Sequence, residues 1–507
     1  MTNVAPLQVP VTLAQLEAAL ADVGARLVGG KLAFDTLVLD VTQDSRLVRP
    51  GSLFVARRGQ RTDGTKLAGD ALKKGAVAVL CERGAVDVEP RLEVSDLARA
   101  FGLAAHTVHG RPSEALAVLG VTGTNGKTTT ACLLESALSA LGARPARLGT
   151  LGFSVDGELR SGTLTTPQAD DVARFMAEAR ALGATHFVME VSSHALDQKR
   201  VAGVRFAVGA FTNLTLDHLD YHGSMDAYGA AKRRLFTEHA PERAVIDVDD
   251  AFGAELARAV DGALTVSRSA DGVEATVRVS SFTQDRDGLA AELVVGERRL
   301  SLRSRLVGLH NLDNLLVALG CLLALGYAPD EAVRAVSEAP PVPGRLERCD
   351  GSRDDVMVLV DYAHTPDAVE RALAAVSGLT RGRLWCVFGC GGDRDRGKRP
   401  LMGRAAGRGA SRVIVTSDNP RSEDPSRIIE DILPGLVDAS AEVTVELERG
   451  AAIEQAILGA DAGDVVLVLG KGHENYQLIG DRVLEFDDRV QSRAALERRR
   501  LARGGAG

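Results

Sequence analysis

The chain has 507 residues, 45% apolar and 25% charged, with a formal net charge of −8. That length exceeds what one core holds and predicts roughly three domains. The composition is that of a globular protein, and the acidic balance excludes a nucleic-acid binder that works through a basic surface. The scattered cysteines, Cys81, Cys132, Cys321, Cys349, Cys386 and Cys390, show no zinc spacing and at this size predict no disulfide framework. With no charged-then-apolar leader and no apolar run of about 18 residues, a cytoplasmic protein without a membrane span is expected.

Residues 13–20 read as a short amphipathic helix, and 37–41, 52–56 and 76–81 as strands of a small α/β domain covering 1–111. Arg111-Pro112 predicts a hinge ahead of the next domain. An apolar run at 116–121 then reads as a buried strand, and 129–141 as a helix. Between them stands Gly123-Thr124-Asn125-Gly126-Lys127-Thr128-Thr129. Strand, glycine loop and helix in that order build a phosphate cradle, because glycines let backbone N–H groups approach phosphate oxygens and the helix dipole favours anions. Lys127 supplies a mobile positive charge and Thr128 a hydroxyl for Mg²⁺. The common motif has a glycine where Val121 stands; this chain carries the shorter G-x-x-G-K-T. A nucleoside triphosphate is the expected ligand.

Apolar runs at 187–191 and 207–212 end in polar residues, as parallel strands do when they present functional groups at their C-termini. Residues 276–302 alternate around Asp287-Gly288 and Glu297-Arg298 and predict antiparallel strands, and 312–325 predicts a buried helix. Together these form a central domain, 112–342, closed by the Pro-rich linker 340–344. Strands at 356–360, 384–388, 413–416 and 465–469 with helical stretches between them make a further α/β domain, 343–507. The Arg-rich tail after 491 reads as a helix that frays at 504–507.

Glu190 at a strand end is either a Mg²⁺ ligand or a buried, hydrogen-bonded carboxylate. Asp217, His218, Asp220 and His222 crowd one short stretch, which binds metal, polarises an acyl group or is a solvated loop. Lys232, in a helical segment, is a surface charge or, if its amine is neutral, a site for CO₂ addition giving an anionic carbamate. Three later loops, 389–400, 417–425 and 470–474, follow strands. Arg421 suits a carboxylate clamp and Glu474 an ammonium. Singly each loop is open to reading as an Asx turn or helix cap; together they favour an amino-acid pocket.

These motifs, with Asp44-Ser45-Arg46, Thr165-Thr166-Pro167, His310-Asn311-Leu312-Asp313-Asn314 and Asp361-Tyr362-Ala363-His364-Thr365-Pro366, resemble the Mur ligases of peptidoglycan synthesis over nearly the whole chain. The resemblance implies an α/β fold of three domains: a small N-terminal α/β domain, a central P-loop ATPase domain with a mostly parallel sheet, and a C-terminal Rossmann-like domain. It implies an ADP-forming acid–amino-acid ligase that uses ATP and Mg²⁺, with no nucleic acid as partner, and a monomer is expected. The implied substrate is UDP-N-acetylmuramoyl-L-alanyl-D-glutamate, activated as an acyl phosphate and then attacked by the amine of a diamino acid. By match to the family, Ser45, Gln60, Arg61 and Thr62 lie near the uridine diphosphate, and Leu164, Thr165, Thr166, Ser192, Gln198 and Arg200 contact the muramoyl peptide. Gly123, Thr124, Asn125, Gly126, Lys127, Thr128 and Thr129 cradle the phosphates, while Asn314, Arg345 and Asp361 line the adenosine. Thr128 and Glu190 hold one Mg²⁺; His218 and a carbamylated Lys232 hold a second, with Lys127, His218 and Lys232 as the catalytic set. Arg394, Asp418, Asn419, Pro420, Arg421, Gly470 and Glu474 hold the acceptor, in the form associated with meso-diaminopimelate, with L-lysine or L-ornithine as the alternative.

Folate-polyglutamate synthetases resemble the same ATP-and-carbamate core but are not expected to carry the leading domain or the 418–421 loop. A non-catalytic nucleotide-binding regulator predicts loss of metal or lysine positions, whereas Lys127, Glu190, His218 and Lys232 are all present.

Overall fold

A computed structural model describes residues 10–29, 34–59, 62–160, 162, 164–269 and 274–504. The chain forms two compact units, residues 1–278, 295–297 and 314–336 in the first and 279–294, 298–313 and 337–507 in the second.

The first unit holds three sheets, the smallest of them the antiparallel pair Val11–Thr12 and Leu37–Val38. Its N-terminal sheet runs in the order Arg26–Val28, Arg91–Val94, Ala78–Glu82, Ser52–Val55, Asp40–Thr42, with an antiparallel first pair and parallel pairs thereafter. The helix Leu13–Ala19 starts at a capping box, in which Thr12 and Gln15 exchange side-chain and backbone bonds. Leu53, Val55, Leu80 and Leu92 alternate onto one face and bury against Phe101 and Ala104 of the helix Leu97–Val108. Ala169 and Ala173 of the helix Ala169–Ala181 join the same core. The expected hinge at Arg111-Pro112 is therefore a packed junction. Pro112 and Ser113 are buried, Arg180 donates to Gly110 O at 2.9 Å, and Arg174 donates to Val41 O at 2.7 Å.

The central sheet of this unit runs Glu158–Arg160, Gly152–Val155, Pro145–Gly149, His186–Glu190, Ala117–Thr122, Val208–Phe211, Arg243–Asp247, Leu264–Ser267. Pairing is parallel from Pro145–Gly149 onward, and the first two strands form an antiparallel edge. Buried on both faces, the parallel strands are the near-continuous apolar runs seen in the sequence. Ala117–Thr122, first of the parallel strands in the chain, lies between His186–Glu190 and Val208–Phe211. From it the chain crosses to Pro145–Gly149 on one side, and from its neighbour His186–Glu190 it crosses to Val208–Phe211 on the other, which opens a crevice at the C-terminal ends of these strands.

The strands Val277–Asp285, Gly288–Val295 and Arg298–Ser304, all but residues 277–278 and 295 of them in the second unit, pair in succession through short turns, as the alternation predicts. Their turn groups with the later residues, because Gln284 donates to Ala375 O at 3.0 Å and Arg286 to Asp464 O at 3.2 Å. The main sheet runs Glu347–Arg348, Met357–Asp361, Val465–Leu469, Leu384–Phe388, Arg412–Val415, Glu442–Val445, parallel except for its first pair. Helices cover both faces around two apolar clusters.

Several boundaries differ from the sequence expectation: the strand expected at 37–41 divides into Leu37–Val38 and Asp40–Thr42, and the buried helix expected at 312–325 runs Leu309–Ala324. The helix after the glycine loop begins at Lys127, inside the motif, and the last helix runs Asp488–Gly504. None of the six cysteines is in a disulfide, and among the described residues no helix is long and apolar enough to cross a membrane.

His106, in the helix Leu97–Val108, is 2% exposed, and both ring nitrogens lack a hydrogen-bond partner. Burial pushes its pKa down from 6.5 to about 3. Between those values the unfolded chain binds a proton that the native chain does not, so stability falls as pH drops below 6.5. At pH 5 this one group costs about 2 kcal/mol. His106→Leu is expected to recover that loss in urea melts at pH 5 while changing little at pH 7.5; parallel melts at both pH values would remove His106 from the acid sensitivity.

Candidate active site

Three neighbouring strand ends build the crevice. Ala117–Thr122 ends at the glycine loop, His186–Glu190 at a carboxylate, and Val208–Phe211 runs into Thr212 and Asn213. Gly126 has φ 87° and forms the N-cap of the helix Lys127–Ala140. A side chain is excluded there twice over: the left-handed backbone strains any other residue, and a β-carbon would overlap the Asn314 amide oxygen. The loop is clamped from the neighbouring strand. Thr124 N donates to Asn213 O at 2.8 Å, Asn125 N to Asn213 Oδ1 at 3.0 Å, and Thr212 Oγ1 to Asn125 O at 2.6 Å. Thr129 and Asn314 are buried behind it, and Thr130 Oγ1 donates to Asn314 Oδ1 at 3.4 Å. Lys127 Nζ folds onto the loop, donating to Gly123 O and Thr124 O at 2.8 Å each.

Glu190 is 1% exposed. Its Oε2 accepts from Thr128 Oγ1 at 2.9 Å and Thr150 Oγ1 at 3.1 Å, and its Oε1 from Thr150 N at 2.7 Å. Thr150 also meets Thr165 at 3.1 Å between hydroxyls. Thr166 donates to Glu190 O at 2.8 Å and accepts from Ser192 N at 3.0 Å, so the carboxylate is held from its backbone as well. A carboxylate and a hydroxyl at a phosphate loop are oxygen donors of the kind Mg²⁺ takes. Among the described residues no three His, Cys, Asp or Glu side chains cluster as a metal cage.

Lys232 lies in the helix Met225–Thr237 and is 1% exposed. The surface-charge reading of this residue is therefore excluded. Its amine lies 4.3 Å from the centroid of the Tyr228 ring. Burial, then the nearby Lys127 charge, lower its pKa well below the usual lysine value, with Asp217 opposing. His218 has φ 54° and sits with its ring 4.9 Å from that of His194. Burial and the neighbouring cations pull its pKa down to about 4, against the opposing charge of Asp217, so the imidazole is neutral near pH 7.

The other sequence-predicted contacts of this unit fall on two sides. Arg200 donates to Thr166 O at 2.8 Å and to Gln198 Oε1 at 2.8 Å, and Gln198 in turn donates to the Tyr221 hydroxyl at 3.1 Å. Ser192 caps the short helix Ser193–Asp197, and Leu164 is exposed. In the N-terminal part, Ser45 O accepts from Lys74 Nζ at 2.9 Å, and Thr62 O accepts from Gly59 N at 2.9 Å. Gln60 and Arg61 lie outside the described residues.

In the second unit, loops at the C-terminal ends of the parallel strands bring several sequence-predicted residues together. Asn419 Nδ2 donates to Glu474 Oε2 at 2.8 Å, and the fully buried Lys471 ammonium reaches Asn419 Oδ1 at 3.2 Å and Glu474 Oε2 at 3.3 Å. Arg421, at φ 53°, donates to Gly392 O at 2.8 Å. Arg421 and the exposed Arg394 both flank Gly391. Asp418 is buried, Pro420 O accepts from Glu423 N at 3.1 Å, and Gly470 N donates to Asp361 O at 3.1 Å. The Arg399 fork bonds both oxygens of Glu423 and holds its pKa down to about 2, which fixes the 418–424 loop to the helix Lys398–Gly409. Arg345 stacks over Tyr362 at 4.7 Å, and Asp361 accepts from Leu346 N and Ala363 N at 2.7 and 2.8 Å.

Sequence reading missed Thr150, Thr212, Tyr228 and Lys471. A threonine after a strand carries no motif, and Lys471 stood beside the predicted Gly470 without a role. Their part is visible only once the strands pair.

Comparison with known proteins bears on the whole chain. Residues 40–109 match the model of the Mur ligase family catalytic domain, 121–322 the Mur ligase middle domain, and 344–472 the Mur ligase glutamate ligase domain. The UDP-N-acetylmuramoyl-L-alanyl-D-glutamate–2,6-diaminopimelate ligase of Pseudomonas putida is 45% identical over 482 residues, covering 91% of this chain and 95% of that protein. The enzyme of the same name from Gloeobacter violaceus is 44% identical over 92% of this chain and 95% of its own length. A solved structure of a ligase with that name aligns at TM-score 0.71 and 33% identity, covering 97% of this chain and 99% of that one. MurF ligase from Thermotoga maritima in complex with ADP shares the fold at TM-score 0.59 and 18% identity, over 92% and 98% of the two chains. Fold, phosphate loop and relatives together define an ATP-dependent amide ligase. The chain belongs to the Mur ligase family.

Gly126→Ala is expected to weaken ATP binding roughly five- to thirtyfold, since the strained backbone costs roughly 1–2 kcal/mol. Titration calorimetry on the folded variant checks this, and unchanged affinity would take the loop out of the nucleotide site.

Proposed function

We propose that this protein is the cytoplasmic, ATP-dependent ligase that adds meso-2,6-diaminopimelate to UDP-N-acetylmuramoyl-L-alanyl-D-glutamate in peptidoglycan precursor synthesis. The observation that carries the acceptor is the loop with Asn419 tied to Glu474 and Arg421 beside Arg394. It offers carboxylate oxygens for an ammonium and guanidinium forks for a carboxylate, and the distal end of diaminopimelate is that zwitterion. Relatives about 45% identical across nine-tenths of the chain carry the corresponding name. We take the domain limits as 1–111, 112–342 and 343–507, for the uridine-linked substrate, ATP and the acceptor in turn.

The substrate carboxylate is a poor electrophile. Its oxygen attacks the γ-phosphorus of ATP, the bond to the β-phosphate bridging oxygen breaks, and ADP leaves. The loop N–H groups and the Lys127 ammonium neutralise charge on the transferring group. Thr128 and Glu190 are the groups for a first Mg²⁺, and neutral His218 with a carbamate on Lys232 are those for a second; when bound, Mg²⁺ supplies charge stabilisation for phosphoryl transfer and for the acyl oxygen. Lys232 suits carbamate formation because a buried neutral amine is the form that adds CO₂. The acceptor amine, having shed a proton, then bonds to the acyl carbon, and phosphate departs. Asn314, Arg345 and Asp361 serve the adenosine, and Leu164, Thr165, Thr166, Ser192, Gln198 and Arg200 the muramoyl peptide. Ser45, Gln60, Arg61 and Thr62 serve the uridine diphosphate.

The deciding experiment follows phosphate release and product mass with the uridine-linked dipeptide, Mg²⁺–ATP and each of diaminopimelate, L-lysine and L-ornithine. Tripeptide is expected with diaminopimelate, and Arg421→Ala is expected to raise its KM more than about tenfold while leaving that for ATP within about twofold. Product with lysine or ornithine instead overturns the acceptor, and no product with any overturns the ligase. Lys232→Ala should lower kcat by about a thousandfold, as expected for loss of charge stabilisation in the transition state. Full turnover in that variant without bicarbonate or a short-chain acid would sink the carbamate role.

A further inference from the structure

We propose that the buried ion pair Arg449–Asp488 is a positioning element for the acceptor amino acid, setting the spacing between the loop at 418–421 and the loop at 470–474. The inference rests on reading those loops as the acceptor site. Neither side chain has any exposed surface. Arg449 opens the helix Arg449–Gly459 and Asp488 opens the helix Asp488–Gly504. Their contact is a fork: Arg449 Nε meets Asp488 Oδ1 at 2.7 Å and Nη2 meets Oδ2 at 2.7 Å.

The remaining donors of the guanidinium leave the pair. Nη2 also bonds Leu469 O at 2.8 Å, and Nη1 bonds Ser417 O at 3.2 Å. Those carbonyls belong to the residues immediately before Gly470 and Asp418. The strands Val465–Leu469 and Arg412–Val415 are not hydrogen-bonded to one another, because Leu384–Phe388 lies between them. No ladder bond therefore sets the distance between the two loops. The planar guanidinium spans the gap, and its fixed fork makes it a rigid spacer. Farther out the loops are tied by Asn419 to Glu474 at 2.8 Å and by Gln477 Nε2 to Asp418 O at 2.7 Å. Those bonds can form only if the strand ends are already in register.

Stability alone is a weak reason for such a pair. Replacing a buried ion pair by apolar residues of similar volume is often neutral or stabilising. Its position, bridging the roots of two functional loops, is what distinguishes this one.

The test uses the full-length protein with Arg449→Lys and Asp488→Asn. KM is measured for the acceptor, for ATP and for the uridine-linked substrate. Acyl-phosphate formation is followed separately by hydroxylamine, whose nitrogen bonds the acyl carbon as phosphate leaves, giving a hydroxamate without need of the acceptor pocket. The expected result is a rise of at least about tenfold in acceptor KM, with the other KM values within about twofold and hydroxamate formation unchanged; a loss of one or two charge-assisted bonds is enough for that. Unchanged acceptor KM in both variants overturns the proposal. So does a parallel fall of hydroxamate and ligation, or failure of both variants to fold, each of which assigns the pair to the fold alone. If the acceptor reading is itself wrong, the wild type makes hydroxamate but ligates no diamino acid, a result visible without either variant.

Discussion

The Glu190 carboxylate is the point on which the nucleotide side of the molecule turns. It sits almost without water, yet three donors reach its oxygens, from Thr128 and twice from Thr150. A buried carboxylate with that many partners has one orientation. Because Thr128 belongs to the phosphate-loop helix and Thr150 follows the strand Pro145–Gly149, the same carboxylate locks the helix to the sheet. The bond from Thr166 to Glu190 O extends this order to the residues assigned to the muramoyl peptide. Loop, sheet and the Thr166 segment share one anchor.

Buried cations show a second regularity. Arg399, Arg449, Lys232 and Lys471 are among the largest fully buried side chains. Arg399 is paired with Glu423 and Asp431, Arg449 with Asp488, and Lys471 with Glu474. Lys232 has the Tyr228 ring instead of a carboxylate. A charge that is buried without a counter-ion neutralises itself by shifting its pKa. The exception thus follows from the same electrostatics as the rule.

The parts of this fold that the sequence made legible are those with a strong local signal. The runs at 384–388 and 465–469 coincide with the strands Leu384–Phe388 and Val465–Leu469, since a strand buried on both faces is apolar throughout. Arg26–Val28 and Arg91–Val94 went unread because they are short and carry exposed or half-exposed charges. The helix start at Lys127 was misplaced by two residues: a left-handed Gly126 replaces the usual side-chain cap, and the helix begins inside the loop motif. For the site, Lys127, Thr128 and Glu190 followed from residue chemistry and position. Lys232 stood open between a surface charge and a carbamate until the family resemblance favoured the second, and Asn314 and Arg345 came through that resemblance, since neither a lone asparagine nor a lone arginine carries a signal of its own. Arg449 and Asp488 stand 39 residues apart and meet only through the packing of two helices.

The bonds of Lys127 to Gly123 O and Thr124 O give the phosphate loop an internal occupant. The ammonium satisfies two carbonyls of that turn, so an anion that approaches it competes with the loop's own backbone for the same charge. A ligand offering a single weak acceptor gains little by that exchange. A chain of linked phosphates, making several contacts at once, gains much more. The resting bonds of the lysine thus set a threshold that one weak contact does not exceed.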